Sequence, residues 1–87
     1  MSNSVAALSS LGPVTAARLA EVGIDRPEQL IEAGAVGAYQ QLKFRFGKLV
    51  TLNYLYALDA AVRNVHWREI DDARKAELRR AAGLDLA

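Results

Sequence analysis

The sequence contains no cysteine, which excludes a disulfide framework and any metal site built on thiolates. It has a single histidine, His66, whereas a zinc site needs several ligands. It also lacks the glycine patterns of a P-loop or a dinucleotide-binding fold. We therefore expect neither a metal nor a cofactor. The absence of cysteine fits a reducing compartment.

Long apolar runs are also missing. No stretch approaches the roughly 20 apolar residues that a membrane-spanning helix needs. The first 13 residues contain no Lys or Arg with which a secretory signal peptide would begin. These features predict a cytoplasmic protein that makes no membrane contact.

A clear excess of positive charge is absent as well. Eleven Lys and Arg residues stand against ten Asp and Glu residues, for a net charge of +1. Dedicated nucleic-acid binders usually carry a basic excess. Any DNA binding by this chain must therefore come from a local patch.

What the chain does have is enough apolar material for one core. Hydrophobic residues make up 52% and charged residues 24% of its 87 residues, which predicts a single domain over 1–87. No segment alternates with period two for long enough to form a strand. The sequence thus predicts an all-α fold, a compact bundle of about five short helices. Prolines and glycines punctuate these helices at Pro13, Gly23, Pro27, Gly34, Gly47 and Gly83.

Polar residues predict several helix starts. Asp25 is expected to be an N-cap, with Glu28 completing a capping box. Thr51 is expected to cap the next long helix, and Asp71 or Asp72 the last one. The helix after Thr51 is apolar around most of its circumference and should lie at the centre of the bundle. Its polar stripe is Asn53, Asp59, Arg63 and Asn64.

Two parts of the sequence resemble known motifs. Residues 8–19, followed by Gly23 and Ile24, resemble a helix-hairpin-helix motif spanning about 6–24. The order and spacing of residues 34–42, 52–61 and 66–69 resemble the C-terminal domain of TfoX (Sxy)-type proteins, which regulate competence for DNA uptake.

The resemblance implies a five-helix domain of the helix-hairpin-helix type, linked to the regulation of competence genes. Full-length regulators of this family also have an N-terminal domain. We therefore expect this chain to be a stand-alone C-terminal module or a fragment.

The hairpin is the first candidate site. In DNA-binding hairpins, backbone N–H groups at the turn hold a phosphate. Here Gly12, Val14 and Thr15 would supply that contact, with the Thr15 hydroxyl and Arg18 in support. Such turns typically carry two glycines, and Ser10 occupies the first position. The alternative is that the hairpin simply packs two helices together.

The basic, aromatic run at 43–48 is the second candidate. Lys43, Arg45 and Lys48 flank Phe44, which the buried face of its helix does not require. An exposed Phe44 could stack on a base or seat a protein partner. Alternatively, the basic residues complement the helix dipole and Phe44 packs on a neighbouring helix.

The remaining candidates have mainly structural interpretations. His66 is expected to fix the chain where it leaves the central helix, and Trp67 to cover the edge of the core. The basic residues of the last helix are expected to form a solvated face with local ion pairs. They are Arg74, Lys75, Arg79 and Arg80.

No nucleophile–base arrangement surrounds any serine, so we predict that the chain is not an enzyme. The leading hypothesis is a non-catalytic regulatory or interaction module that acts through a protein partner, with DNA as a further partner. The alternative is direct, sequence-nonspecific DNA binding. A homodimer would be another way to bury an exposed patch.

Overall fold

The computed structural model describes residues 11–84, and within them it contains four α-helices and no strand. These helices are α1 (Pro13–Glu21), α2 (Pro27–Phe46), α3 (Leu52–Arg63) and α4 (Asp72–Ala81), with short 3-10 turns at Gly47–Leu49 and Trp67–Glu69. The all-helical prediction is confirmed. The helix predicted to end near Ser10 lies outside the described residues. So does the first helix of the hairpin motif, and neither that motif nor the count of about five helices is confirmed.

Helix α2 joins two segments that the sequence divided at Gly34. The backbone of Gly34 has φ 77° and ψ 161°, and the residues on both sides of it are helical. At these backbone angles a Cβ atom would clash with the backbone, so glycine is the residue that adopts them without strain. The break lets the two parts of α2 follow the surface of the bundle in different directions.

Two helix starts show how local side chains satisfy free backbone N–H groups. Asp71 is the N-cap of α4, and its Oδ1 accepts a hydrogen bond of 2.8 Å from the N–H of Arg74. The capping box predicted for Asp25 and Glu28 is wrong by one residue. Arg26 is the N-cap of α2, and the Oε1 of Gln29 accepts hydrogen bonds from the N–H groups of Arg26 (3.0 Å) and Asp25 (2.9 Å). A neutral amide reaches both donors from the third helical position.

Helix α3 lies at the centre and packs most extensively against α2. Its apolar circumference is buried by neighbours on several sides, as expected for a helix without a wide polar face. The largest fully buried apolar side chains come from α1, α2, α3 and the segment between α2 and α3. They are Leu19, Leu30, Leu42, Val50, Leu55 and Leu58. Between residues 11 and 84, no helix is both long enough and apolar enough to cross a bilayer.

Asp59 is the exception in this core, since only 1% of its surface is exposed. Arg74 donates to both of its carboxylate oxygens, from Nε to Oδ2 (3.0 Å) and from Nη2 to Oδ1 (2.7 Å). Arg63 lies 3.6 Å from the same carboxylate. The hydrogen bonds to Asp59 raise the pKa of Arg74, against the opposing effect of burial, so the guanidinium stays charged. Asp59, a member of the polar stripe identified in the sequence, therefore links α3 to α4 and does not face solvent.

Candidate interaction surface

Phe44 is 94% exposed, more than any other large apolar side chain between residues 11 and 84. It stands at one end of a shallow groove that we call the Phe44 groove. The groove is lined by Val22, Gly37, Gln40, Gln41, Phe44 and Arg45. Exposure of a whole phenyl ring is unfavourable in water, so this side chain is available for a contact outside the described chain.

Helical spacing explains how the groove forms. Gly37, Gln40, Gln41 and Phe44 fall at i, i+3, i+4 and i+7 of α2, and therefore on one face. The opposite face of the same segment is buried in the core. Val22, the residue that ends α1, closes the side of the groove. Sequence reasoning singled out Phe44 and Arg45 but missed the other lining residues. For those on α2, the signal that could have found them was an uncharged stripe at helical spacing.

Arg18 is committed to contacts inside the chain. Its Nη1 donates a short hydrogen bond to the Tyr54 hydroxyl and lies 3.4 Å from the carbonyl oxygen of Leu49. Its guanidinium carbon also lies 5.5 Å from the centre of the Phe46 ring. These contacts fix α1 against the start of α3.

Lys43 makes a contact inside the chain, whereas Lys48 does not. The Nζ of Lys43 donates a 2.9 Å hydrogen bond to the carbonyl oxygen of Val50, and so closes the turn between α2 and α3. Lys48 is exposed and makes no hydrogen bond or ion pair within residues 11–84. Of the two, only Lys48 has an ammonium group that no protein contact occupies in the described chain.

Arg45 stays at the surface and has two neighbours. Its Nη2 lies 3.5 Å from Glu21 Oε1, and its guanidinium carbon lies 5.1 Å from the centre of the Phe46 ring. The Phe46 ring thus has Arg18 and Arg45 as cation–π partners. About half of each side chain in the Arg45–Glu21 pair is exposed, so the pair is weak and can be exchanged for another.

The turn before α1 contains the other candidate residues. Gly12 is the N-cap of α1 and has an extended backbone. Because glycine has no side chain, it cannot make a side-chain capping hydrogen bond to the helix. Thr15 is half-buried in the first turn. The structure thus places both residues at a helix N-terminus, while the nearest basic side chain, Arg18, is held by Tyr54.

His66 has a structural contact on each side. Its Nδ1 accepts a 3.1 Å hydrogen bond from the N–H of Arg68, and its own N–H donates to Glu69 at 2.9 Å. Trp67 differs from its prediction, because it is 53% exposed and does not close the core edge. It lines a second depression with Tyr56 and Lys75.

The basic residues of α4 make one local ion pair of the kind that the sequence predicted, between Arg74 Nη1 and Glu77 Oε2 at 3.6 Å, but they do not form only a solvated face. Besides Arg74, which binds Asp59, two others contact Tyr56 of α3. The Nη1 of Arg79 donates to the Tyr56 hydroxyl at 2.8 Å, and Lys75 lies 5.2 Å from the centre of its ring. These long side chains attach α4 to α3 through their polar ends.

No group of three or more potential metal-binding residues comes together within residues 11–84. In the same part of the chain, every buried side-chain nitrogen and oxygen has a hydrogen-bond partner. The described residues therefore offer contacts at the surface, above all at the Phe44 groove.

Two crystal structures from Listeria monocytogenes are among the solved structures that match this chain. One is an uncharacterized protein in a triclinic form, with a TM-score of 0.83 and 29% identity over 91% of this chain and 89% of that chain. The other is a protein of unknown function in a tetragonal form, with a TM-score of 0.82 and 29% identity over 91% of this chain and 95% of that chain. No curated protein gives a significant match. The TfoX C-terminal domain family matches residues 1–82, so this chain belongs to that family.

Proposed function

We propose that this chain is a non-catalytic regulatory module that acts through protein contacts made at the Phe44 groove. The observation that carries the proposal is the 94% exposure of Phe44 beside an uncharged face of α2. Protein interfaces are depleted in charge at their centres and enriched in aromatic residues. Membership of the TfoX C-terminal domain family supports a regulatory role, in keeping with that family's link to DNA-uptake competence.

The charged residues support protein contact over DNA contact. Arg18 and Lys43 each donate hydrogen bonds to partners inside the chain, and this lowers the charge available to phosphates. A DNA-binding face gains most of its affinity from cations that release counterions on binding. Holding two of the predicted contact residues in internal bonds works against that mechanism.

Direct, sequence-nonspecific DNA binding is the second candidate. It is favoured by one observation, the exposure of Arg45 and Lys48 next to the aromatic rings of Phe44 and Phe46. Such a combination can contact phosphates and stack on bases.

Photocrosslinking tests the protein-contact proposal in cells. A photoreactive p-benzoylphenylalanine replaces Phe44 in one version of the chain and Ile31 in a second. Ile31 is a matched control, because it is also on α2, is 60% exposed and does not line the groove. We expect a discrete protein adduct from position 44 and none from position 31. Equal labelling, or no adduct from position 44, would contradict the proposal.

Fluorescence anisotropy tests the DNA alternative. Labelled duplex and single-stranded DNA are titrated at about 50 and about 200 mM salt, with the wild type and an Arg45→Ala/Lys48→Ala variant. We expect no binding at tens of micromolar protein. Tight binding that falls steeply with salt and is lost in the double variant would instead establish the DNA function.

A further inference from the structure

A small depression beside Trp67, which we call the Trp67 depression, shares no residue with the Phe44 groove. Its volume is about 280 Å³, and three elements of the fold surround it: α3, the 3-10 turn at Trp67–Glu69, and α4. Its lining residues are Asn53, Tyr56, Ala57, Trp67 and Lys75. A space of this size suits a single ring system rather than a helix, whose diameter with side chains is about 10 Å.

Aromatic side chains form much of the wall of this depression. Trp67 is 53% exposed, and Tyr56 is half-buried beside it. Indole and phenol rings have flat apolar faces. A planar ring that packs on them removes this surface from water and gains from the aromatic contact. The exposed indole therefore favours a ligand with a planar ring.

Positive charge surrounds the two rings. The Nζ of Lys75 lies 5.2 Å from the centre of the Tyr56 ring, and the guanidinium carbon of Arg68 lies 5.4 Å from the centre of the Trp67 ring. Neither cationic group makes a hydrogen bond or ion pair within residues 11–84. Arg79 donates to the Tyr56 hydroxyl and has no carboxylate partner in the same part of the chain. These charges remain available to an anion.

Two carboxylates are near this charge in the sequence. Glu69 accepts a hydrogen bond from the N–H of His66 and lines a different depression. Asp72 is exposed, precedes Lys75 by one turn of α4, and makes no ion pair within residues 11–84. One exposed carboxylate against three cations leaves a positive balance around the two rings. This balance is complementary to an anionic ligand.

We infer that the Trp67 depression binds a small ligand in which a planar ring carries an anionic group. The ring packs against Trp67 and Tyr56, and the anion lies at Lys75 and Arg68. The exposed amide of Asn53 offers both donors and an acceptor to polar atoms at the edge of the ring. Nucleoside monophosphates and aromatic carboxylates share this chemistry. The inference is independent of the proposed function, because it concerns a separate surface.

Trp67 is the only tryptophan of the chain, so its indole N–H gives a single reporter signal in proton–nitrogen NMR spectra of the full chain. Adenosine 5′-monophosphate and indole-3-acetate are the two anionic probes, each titrated to about 10 mM at low salt. Adenosine and indole-3-acetamide are their neutral counterparts, and inorganic phosphate is an anion without a ring.

We expect at least one anionic probe to shift the indole signal saturably, with a Kd of about 1 mM or below. Its neutral counterpart and inorganic phosphate should each bind at least about fivefold more weakly, because each lacks half of the recognised chemistry. Binding of one anionic probe alone identifies which source of this chemistry the site takes. The inference is overturned if neither anionic probe shifts the signal, or if a neutral counterpart or phosphate alone binds equally well.

Charge variants test where the anion lies. Lys75→Gln and Arg68→Gln should each raise the Kd by about threefold to tenfold at low salt, since each removes one cation. Lys48→Gln is a matched control, because Lys48 is an exposed cation that does not line the depression, and it should leave the Kd unchanged. Phe44→Ala should also leave the Kd unchanged, which separates this site from the Phe44 groove. Equal effects of Lys75→Gln and Lys48→Gln would contradict the inference, and thermal unfolding checks that each variant is folded.

Discussion

Arg74 of α4 donates one hydrogen bond to each carboxylate oxygen of Asp59 in α3, with distances of 2.7 and 3.0 Å. The two residues are 15 positions apart, and Asp59 is almost completely buried. Bidentate pairing of this kind fixes both the separation and the rotation of the two helices. The buried carboxylate thus depends mainly on Arg74, while Arg79 and Lys75 also attach α4 to α3 through Tyr56.

Arg74→Met should therefore destabilise the fold strongly. The substitution leaves the buried carboxylate with only Arg63, at 3.6 Å, and should lower the free energy of unfolding by about 2–4 kcal/mol. Urea denaturation followed by circular dichroism measures this change. Arg63→Met is the control and should cost about 1 kcal/mol or less, since that side chain is half exposed. If the two substitutions lowered the free energy of unfolding equally, Arg74 would not be the main partner of Asp59.

Replacing both partners should cost much less than replacing one. In Asp59→Leu/Arg74→Met no charge is left buried, so most of the stability lost in Arg74→Met should return. The same urea denaturation, run on both single variants and the double variant, gives the coupling free energy. Additive losses would show that the pair is not the main link between α3 and α4.

Gly34 and Gly37 should respond to alanine in opposite directions. Gly34→Ala places a Cβ at φ 77° and ψ 161°, and should lower the free energy of unfolding by about 1–3 kcal/mol. Gly37→Ala adds a Cβ in open space within a helix, and should raise it by about 0.5–1 kcal/mol. Urea denaturation followed by circular dichroism measures both changes. If Gly34→Ala left the free energy of unfolding unchanged, the break in α2 would not require glycine at this position.

Lys43 and Lys48 form a matched pair for separating structure from binding. Lys43→Met removes the hydrogen bond to the carbonyl oxygen of Val50, a buried residue, and should cost about 1–2 kcal/mol. Lys48→Met removes an exposed charge and should change stability by no more than about 0.5 kcal/mol. Thermal or urea denaturation distinguishes them. A stability loss for Lys48→Met as large as that for Lys43→Met would contradict this division.

The Tyr54 hydroxyl should contribute to stability through Arg18. Tyr54→Phe removes the acceptor of that hydrogen bond and should lower the free energy of unfolding by about 1 kcal/mol. In the Arg18→Met background the same change should have little effect. This double-mutant cycle reports the interaction directly. Tyr56→Phe, which loses the bond to Arg79 instead, should keep its full effect in that background.

Several elements of this fold were predictable because their causes are local. Gly34 divides α2 where the sequence placed a helix end, and Asp71 caps α4 as expected. Glycine conformation and capping hydrogen bonds act within about four residues, so a short window of sequence contains both partners. The cap of α2 was off by one residue, because the helix begins one residue later and Gln29, not Glu28, occupies the third helical position.

The candidate site was only partly predictable, because some of its contacts join residues that are far apart in the sequence. The spacing of buried residues on α2 identified Phe44 as surplus to the core, and it is exposed. Whether Arg18 and Lys43 were available for binding depended on Tyr54, Leu49 and Val50. No local pattern in the sequence relates Arg18 to a tyrosine 36 positions away.

By itself, the sequence determined the helical class, the order of the helices, the central position of α3 and the resemblance to the TfoX C-terminal domain family. Repeating apolar positions and local backbone preferences are enough for these. Only the tertiary structure decided that Asp59 is buried on Arg74, that most of the basic residues are bound internally, and that Val22 closes a groove beside Phe44. Such relationships depend on how helices distant in sequence pack together, because the partner that satisfies a buried charge is chosen by proximity in space.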